Sequence, residues 1–340
     1  MKNSVTIKDI SRASQVSITT VSRVLNGLSR QYRISKSTQD VVKAVAKDLN
    51  YRPNQTAVNL RRQKSNSIGL IIPSLANPFF SNIASIVNHE LRKKGYSVIF
   101  TDSGEDEQTE IKELELLLDR QIDGLIITPS GSSYDHLESA YNNGLPAVCI
   151  DRYFESASIP YVATNNYLGA YDLTSHLINY GHTRIACLQG VHHVMPNVQR
   201  TKGYQQALAD HGLSTYYIGG TNFSEENGYN ETLELLRRRD RPTAIFALSD
   251  VIALGAIRAI REEGLVIPKD VSLVTFDNAI YLDYMAPAIT SIVQPVTDIA
   301  RISIRILLDK LEKNNNVQEV LQEKVLLEPT IIHRDSVANV

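Results

Sequence analysis

Residues 6–27 read TIKDISRASQVSITTVSRVLNG, two short amphipathic segments parted by a break at Gln15-Val16. In the first, Ile7, Ile10 and Ala13 recur every third residue, as on the buried stripe of a helix. In the second, Ser17 is suited to cap a helix on which Val21, Val24 and Leu25 fall at i, i+3, i+4. Its opposite face carries Thr19, Ser22, Arg23 and Asn26. Such a helix, apolar inside and rich in hydroxyl, amide and guanidinium outside, suits the DNA major groove. A three-helix bundle with a merely solvated face satisfies the same spacing.

This stretch closely resembles the N-terminal helix-turn-helix of the lactose/galactose repressor family. YRPN at 51–54, NPFF at 77–80 and HRDS at 333–336 match further motifs, so the resemblance covers almost the whole chain. It implies that Ser17, Ile18, Thr19, Thr20, Ser22, Arg23 and Asn26 face DNA, with Ile18, Thr19 and Arg23 at base edges. It also implies a hinge helix that orders on DNA, where Asn54 and Ala57 meet the duplex and Leu60 enters the minor groove as a wedge. Val58 departs from the arginine common in the family. By itself the segment reads as a plain polar linker, too short to be a stable helix in water.

Charge separates head from body. Residues 1–65 hold 13 Lys+Arg against Asp9, Asp40 and Asp48, a net of +10, and the rest of the chain carries −12. A basic head on an acidic body is expected to bring only the head to a polyanion. Lys2, Lys8, Asp9 and Arg12 interrupt any apolar leader, and Cys149 and Cys187 sit in apolar strand-like runs. A cytoplasmic protein with reduced cysteines is therefore expected.

After the second helix, residues 28–34 form a connector about three residues longer than is usual in the family, carrying Arg30 and Arg33. Ser35 then caps a third helix with Val41, Val45 and Leu49 on one stripe. From Ser67 the pattern alternates. Apolar runs at 68–72, 97–101, 123–128, 147–150, 184–188, 244–247 and 271–275 are separated by helical stretches, which predicts parallel sheets covered on both faces. About 275 residues of such alternation is more than one core holds, so two lobes are expected. The resemblance names them as periplasmic-binding-protein-like and joins them by crossovers near 161–165, 292–294 and 320–324. The expected organisation is a small all-α helix-turn-helix head at 1–52, a hinge at 53–65 and a two-lobed α/β core at 66–340. Within the core, the N-lobe takes 66–162 and 294–322, and the C-lobe takes 163–293 and 323–340.

Ligands of open parallel sheets sit beyond the carboxyl ends of the strands. Asp151, Asp250 and Asp277 fall there, Arg200 and Phe223 lie where the resemblance implies an effector cleft, and Phe79 faces it from the first lobe. Carboxylates and an arginine grip hydroxyls, while aromatic rings stack on a sugar or base. Asp250 could equally cap the helix beginning at Val251, Asp151 could pair with Arg152, and Phe79 could be core. Ser249 replaces the sugar-binding asparagine of the lactose repressor. The adjacent pair His192-His193 is read as a solvated loop, and no nucleophile elbow, phosphate loop or metal helix occurs, so neither catalysis nor a cofactor is expected. The expected protein is a homodimeric regulator of a palindromic operator, controlled by a sugar or sugar phosphate. Its alternatives are a regulator needing a purine or phosphoprotein corepressor and, with less support, a solute-binding protein.

Overall fold

The computed structural model of the chain describes residues 5–51, 64–312 and 323–340, divided between two units, Met1–Ser65 and Asn66–Val340. In the first unit, α1 (Ile7–Ser14), α2 (Ile18–Leu25) and α3 (Lys36–Asp48) enclose Ile10, Val21, Val24, Val42 and Ala46. The break is made by Gln15, left-handed at φ 55°, and closed where Ser11 Oγ donates to the Val16 carbonyl at 2.6 Å. Ser17 and Ser35 cap α2 and α3 by accepting from the amides of Thr20 and Thr38, both at 3.2 Å. Two expected stripes are displaced. Ser14 rather than Ala13 is buried on α1, while on α3 Val41 and Leu49 are exposed and Val42 and Ala46 form the core. The helix offers two apolar stripes about 100° apart, with Val45 bordering both, and periodicity does not choose between them. Tyr51 packs against this core; Asn54, Ala57 and Leu60, with the expected hinge helix, lie outside the described residues.

The second unit holds two sheets of six strands. The first runs, in chain order, through β1 (Ser67–Ile72), β2 (Ser97–Asp102), β3 (Gly124–Ile127), β4 (Ala147–Ile150) and β5 (Tyr161–Thr164). The second takes β6 (Ile185–Leu188), β7 (Tyr217–Gly219), β8 (Ala244–Ala247), β9 (Ser272–Phe276) and β10 (Thr290–Val293). β11 (Lys324–Leu327) joins the first and β12 (Thr330–Ile332) the second, giving the orders β11-β5-β4-β3-β1-β2 and β12-β10-β9-β8-β6-β7. All pairings are parallel except β10 with β12, so the carboxyl ends of each sheet gather at one edge.

Helices α4 (Pro78–Lys93) and α11 (Val296–Glu312) bury Ile83, Val87, Ile299 and Leu307 against Ile68, Leu70 and Ile72 on one face of the first sheet. Helices α5 (Glu107–Asp119) and α6 (Asp135–Asn142) cover Ile71, Leu125 and Ile127 on the other, as the two-residue alternation of a strand requires. The second sheet is covered likewise by α7 (Asn166–Asn179) with α8 (Met195–Asp210), and by α9 (Glu225–Leu236) with α10 (Asp250–Glu262). Where α7 crosses α8, a Cβ on Gly203 would fall 2.2 Å from the Tyr167 carbonyl oxygen, so only glycine admits the approach. Cys149 and Cys187 are both buried and free.

One boundary differs from expectation. The segment 324–327, assigned to the second lobe, lies on the first sheet, where Lys324 to Leu327 pair in parallel with Tyr161 to Thr164. Val325 and Leu327 pack onto the cluster that α11 covers, which anchors the strand to the outer edge of β5. The last crossover therefore falls at Glu328-Pro329, between β11 and β12, instead of 320–324.

Candidate functional site

β4 and β9 occupy the same place, third from the edge, in their respective sheets, and each is followed directly by an aspartate. Asp151 and Asp277 are both left-handed, at φ 61° and 69°, a conformation that aspartate tolerates better than most residues. Both line one inner cavity of about 20 Å³, as do Arg200 and Phe223 from the second lobe and Phe79 from the first. A wider cavity of about 640 Å³ shares Phe79, Asp277 and Gln294 with it and adds Asp250 and Tyr281. All six residues singled out in the sequence for this cleft thus come together.

Arg200 is buried, with Nε donating to Asn166 Oδ1 at 2.8 Å, Nη1 donating to the Leu248 carbonyl at 2.6 Å, and its guanidinium 3.7 Å from the centre of the Phe276 ring. Asp277 Oδ2 is 3.9 Å from Nη1, while Oδ1 accepts from Gln294 Nε2 at 2.5 Å. Gln294 Oε1 in turn accepts from Thr164 Oγ1 at 2.5 Å, so Asp277 is wired through one crossover residue to the end of β5. Burial raises the Asp277 carboxyl against the opposing pull of Arg200, and burial lowers Arg200. Asp151 Oδ1 has no hydrogen-bond partner among the described residues, and burial pushes this carboxyl up to about 6 despite Arg200 and Arg152. A buried oxygen left without a partner is a site for a donor.

Asp250 is the first residue of α10, but the cap is Ser249, whose Oγ accepts from the Ile252 amide at 3.3 Å. Asp250 itself accepts from the Tyr281 hydroxyl at 2.9 Å and from the Val251 amide at 2.9 Å. Burial and then the charge of Asp277 hold its carboxyl above the ordinary range. Phe223 lies against Gly190, where a Cβ would stand 2.3 Å from the ring.

Asn77 and Phe80 of the NPFF motif, and Pro196 at the start of α8, also line the inner cavity, although nothing in the spacing of the sequence singles them out. Arg152 was one possible partner for Asp151. Instead Arg152 makes a two-pronged ion pair with Glu105, at 2.6 and 2.7 Å. Gln294, read only as a crossover residue, stands at a strand end like the aspartates, and the same rule would have found it. His192 and His193 are exposed, as a solvated loop implies, yet their Nε2 atoms contact the carbonyls of Gly220 and Ser130 at 2.8 and 3.2 Å.

On α2, Ile18 is 49% exposed and Thr19 is exposed, with Thr20, Ser22, Arg23 and Asn26 half-buried. Ser17 Oγ and Thr20 Oγ1 lie 2.9 Å apart, and Asn26 Nδ2 donates to the Ser22 carbonyl at 2.7 Å. The Arg23 guanidinium rests 3.8 Å from the centre of the Tyr32 ring, which the connector supplies. Among the described residues, no helix is long and apolar enough to cross a membrane and no group of three or more His, Cys, Asp or Glu is placed to hold a metal.

Comparison with known proteins agrees over the full length. Residues 6–54 match the model for bacterial regulatory proteins of the lacI family, and residues 65–303 that for periplasmic binding proteins and the sugar binding domain of the LacI family. The ribose operon repressor of Haemophilus influenzae is 32% identical over 335 residues, 98% of each chain. The lac repressor dimer bound to operator and the anti-inducer ONPF superposes with a TM-score of 0.88 at 26% identity, covering 99% of this chain and 100% of that one. A LacI-family regulator from Enterococcus faecium with bound ribose gives a TM-score of 0.72 at 28% identity, covering 81% and 99%. With an operator-reading type of head and a two-lobed core both matched in order, the chain belongs to the LacI family of bacterial transcriptional regulators.

Proposed function

We propose that this regulator is a cytoplasmic homodimeric repressor of a carbohydrate-utilisation operon, without enzymatic activity, and that its effector is an unphosphorylated sugar of the ribose type. The observation that carries the effector class is the set of buried carboxylates, Asp151, Asp250 and Asp277, around Arg200, with Asp151 Oδ1 unpartnered among the described residues. Such a site accepts hydrogen bonds from hydroxyls. A phosphate would bring charge against carboxylates while the nearby cations are engaged, Arg152 by Glu105 and Arg200 by Asn166 and Leu248. Phe79 and Phe223 supply the apolar face that a sugar ring stacks on. The relative that is a ribose operon repressor and the related structure holding ribose support the same choice.

In this reading α2 enters the major groove through Ile18, Thr19 and Arg23, and the +10 head supplies phosphate affinity. Ligand in the cleft changes the relation of the lobes, and across the dimer that change decides whether residues 53–65 can engage DNA. The test is a thermal-shift and calorimetric series with D-ribose, other pentoses, ribose 5-phosphate and purines, followed by operator titrations with any ligand that binds. Stabilisation by ribose and not by its phosphate is expected. Binding of a purine or a phosphosugar alone would overturn the effector assignment, as would an operator response that needs a phosphoprotein.

A further inference from the structure

The HRDS segment near the C-terminus is far in sequence from every residue of the cleft, yet it carries a buried cation. The Arg334 side chain is 8% exposed and reaches four acceptors. Nη1 donates to the Ile289 carbonyl at 2.5 Å and to Ser291 Oγ at 2.9 Å; Nη2 donates to Asn278 Oδ1 at 2.7 Å and pairs with the Asp283 carboxylate. The backbone around it is pinned to the second sheet. The Arg334 amide donates to Thr290 Oγ1 at 2.9 Å, and Ser336 Oγ accepts from the Thr290 amide at 2.9 Å while donating to the Leu273 carbonyl at 2.5 Å.

Asn278 and Asp283 bracket the loop that leaves β9, and Ile289 and Ser291 belong to the stretch that returns into β10. That loop starts at Asp277, contains Tyr281, and lines the wider cavity with Asn278 and Tyr281. Leu282 is fully buried, with Tyr281 and Met285 partly buried against the same core, whereas Ile280 and Tyr284 are 73% and 82% exposed. A single 3-10 turn at Ile280–Asp283 gives it little order of its own. Asp277 is left-handed, a conformation that persists only where the surroundings over-determine it. A guanidinium holds several acceptors in fixed directions, which an ammonium on a flexible stem does not.

We propose that Arg334 is a positioning residue for the effector cleft. It clamps the loop between Asn278 and Asp283, and thereby sets the Asp277 carboxylate and the Tyr281–Asp250 contact without touching ligand. The clamp rests on contacts within the ligand-free protein; its consequence for ribose rests on the effector assignment above.

The test compares full-length parent, Arg334→Met, Arg334→Lys and Asp283→Ala in two measurements, amide hydrogen exchange without ligand and the Kd for D-ribose. Arg334→Met is expected to speed exchange selectively in peptides spanning 277–284 and to weaken ribose binding about tenfold, with Arg334→Lys intermediate and Asp283→Ala smaller in the same direction. Peptides from β6 and β8 should exchange as in the parent. Faster exchange throughout the second sheet with a parent-like Kd would make Arg334 an ordinary structural residue and overturn the proposal. Should Arg334→Met fail to fold, Asp283→Ala decides, because that half-exposed carboxylate can be removed without opening the core; unchanged exchange at 277–284 in that variant rejects the clamp. A parent that does not bind ribose sinks the effector assignment alone, and the exchange pattern still decides the clamp.

Discussion

Asp151 concentrates the chemistry of the cleft. Its pKa in the folded protein is about 6 against a usual 3.8, so between those values the folded state holds more protons than the unfolded state. Its contribution to stability is therefore most favourable below about 4 and is lost as pH rises through 6. Asp151→Asn is expected to melt higher than the parent above pH 6, by up to about 3 kcal/mol in stability, with the gap closing toward pH 4. A gap independent of pH would mean that the carboxyl does not titrate there. A sugar hydroxyl donating to Oδ1 favours the ionised form, so ribose affinity should rise with pH through the same window, as isothermal titration across pH 5–8 would show. Arg200→Ala and Asp277→Ala are expected to bind operator like the parent and to lose ribose-induced stabilisation, since the head is untouched. Loss of operator binding without ligand would instead give both a purely structural role.

Among elements, the connector after α2 folds back onto the exposed face of the helix it follows. Tyr32 lies against the Arg23 guanidinium at 3.8 Å, a cation–π contact that limits where this side chain can go. Arg23→Ala is expected to weaken operator binding by about 1–3 kcal/mol and to relax sequence preference. Tyr32→Ala should weaken the operator complex severalfold and leave binding to random DNA nearly unchanged, because it removes orientation and keeps charge. A gel-shift comparison of the two DNAs separates these outcomes, and equal losses on both would make Arg23 a phosphate contact. Caps at Ser17 and Ser35 were legible because capping is decided within three residues. The α3 stripe was not, since Val41, Val45 and Leu49 compete with Val42 and Ala46 until the other two helices choose a face.

At the scale of the whole second unit, contacts beyond the crossovers join the lobes. His193 Nε2 meets the Ser130 carbonyl of the first lobe at 3.2 Å, and Met195 packs against the first lobe's cluster that includes Leu125, Ile127 and Tyr153. His193→Ala is expected to raise the radius of gyration in X-ray scattering and to weaken ribose binding severalfold, about the worth of one hydrogen bond. An unchanged radius and affinity would mean that this contact contributes nothing to closure. The strand–helix alternation, the basic head and the three cleft aspartates were readable in the chain because they follow from short-range patterning and the rule that ligands sit beyond strand ends, whereas Arg200, Phe223 and Phe79 were placed there only with the family resemblance. The route of the last crossover was not, because β11 and β12 are both short, at four and three residues, and only pairing with β5 or β10 tells their sheets apart. By itself, then, the sequence determined the helix-turn-helix, the parallel sheets and which aspartates stand at strand ends, since each depends on neighbours a few residues away. Only the tertiary structure decided that Arg152 turns to Glu105 47 residues away, that Gln294, which holds Asp277, also holds Thr164 130 residues before it, and that Arg334 meets Asn278. In each case a buried charge or acceptor must find a partner, and no local pattern records which one the fold delivers.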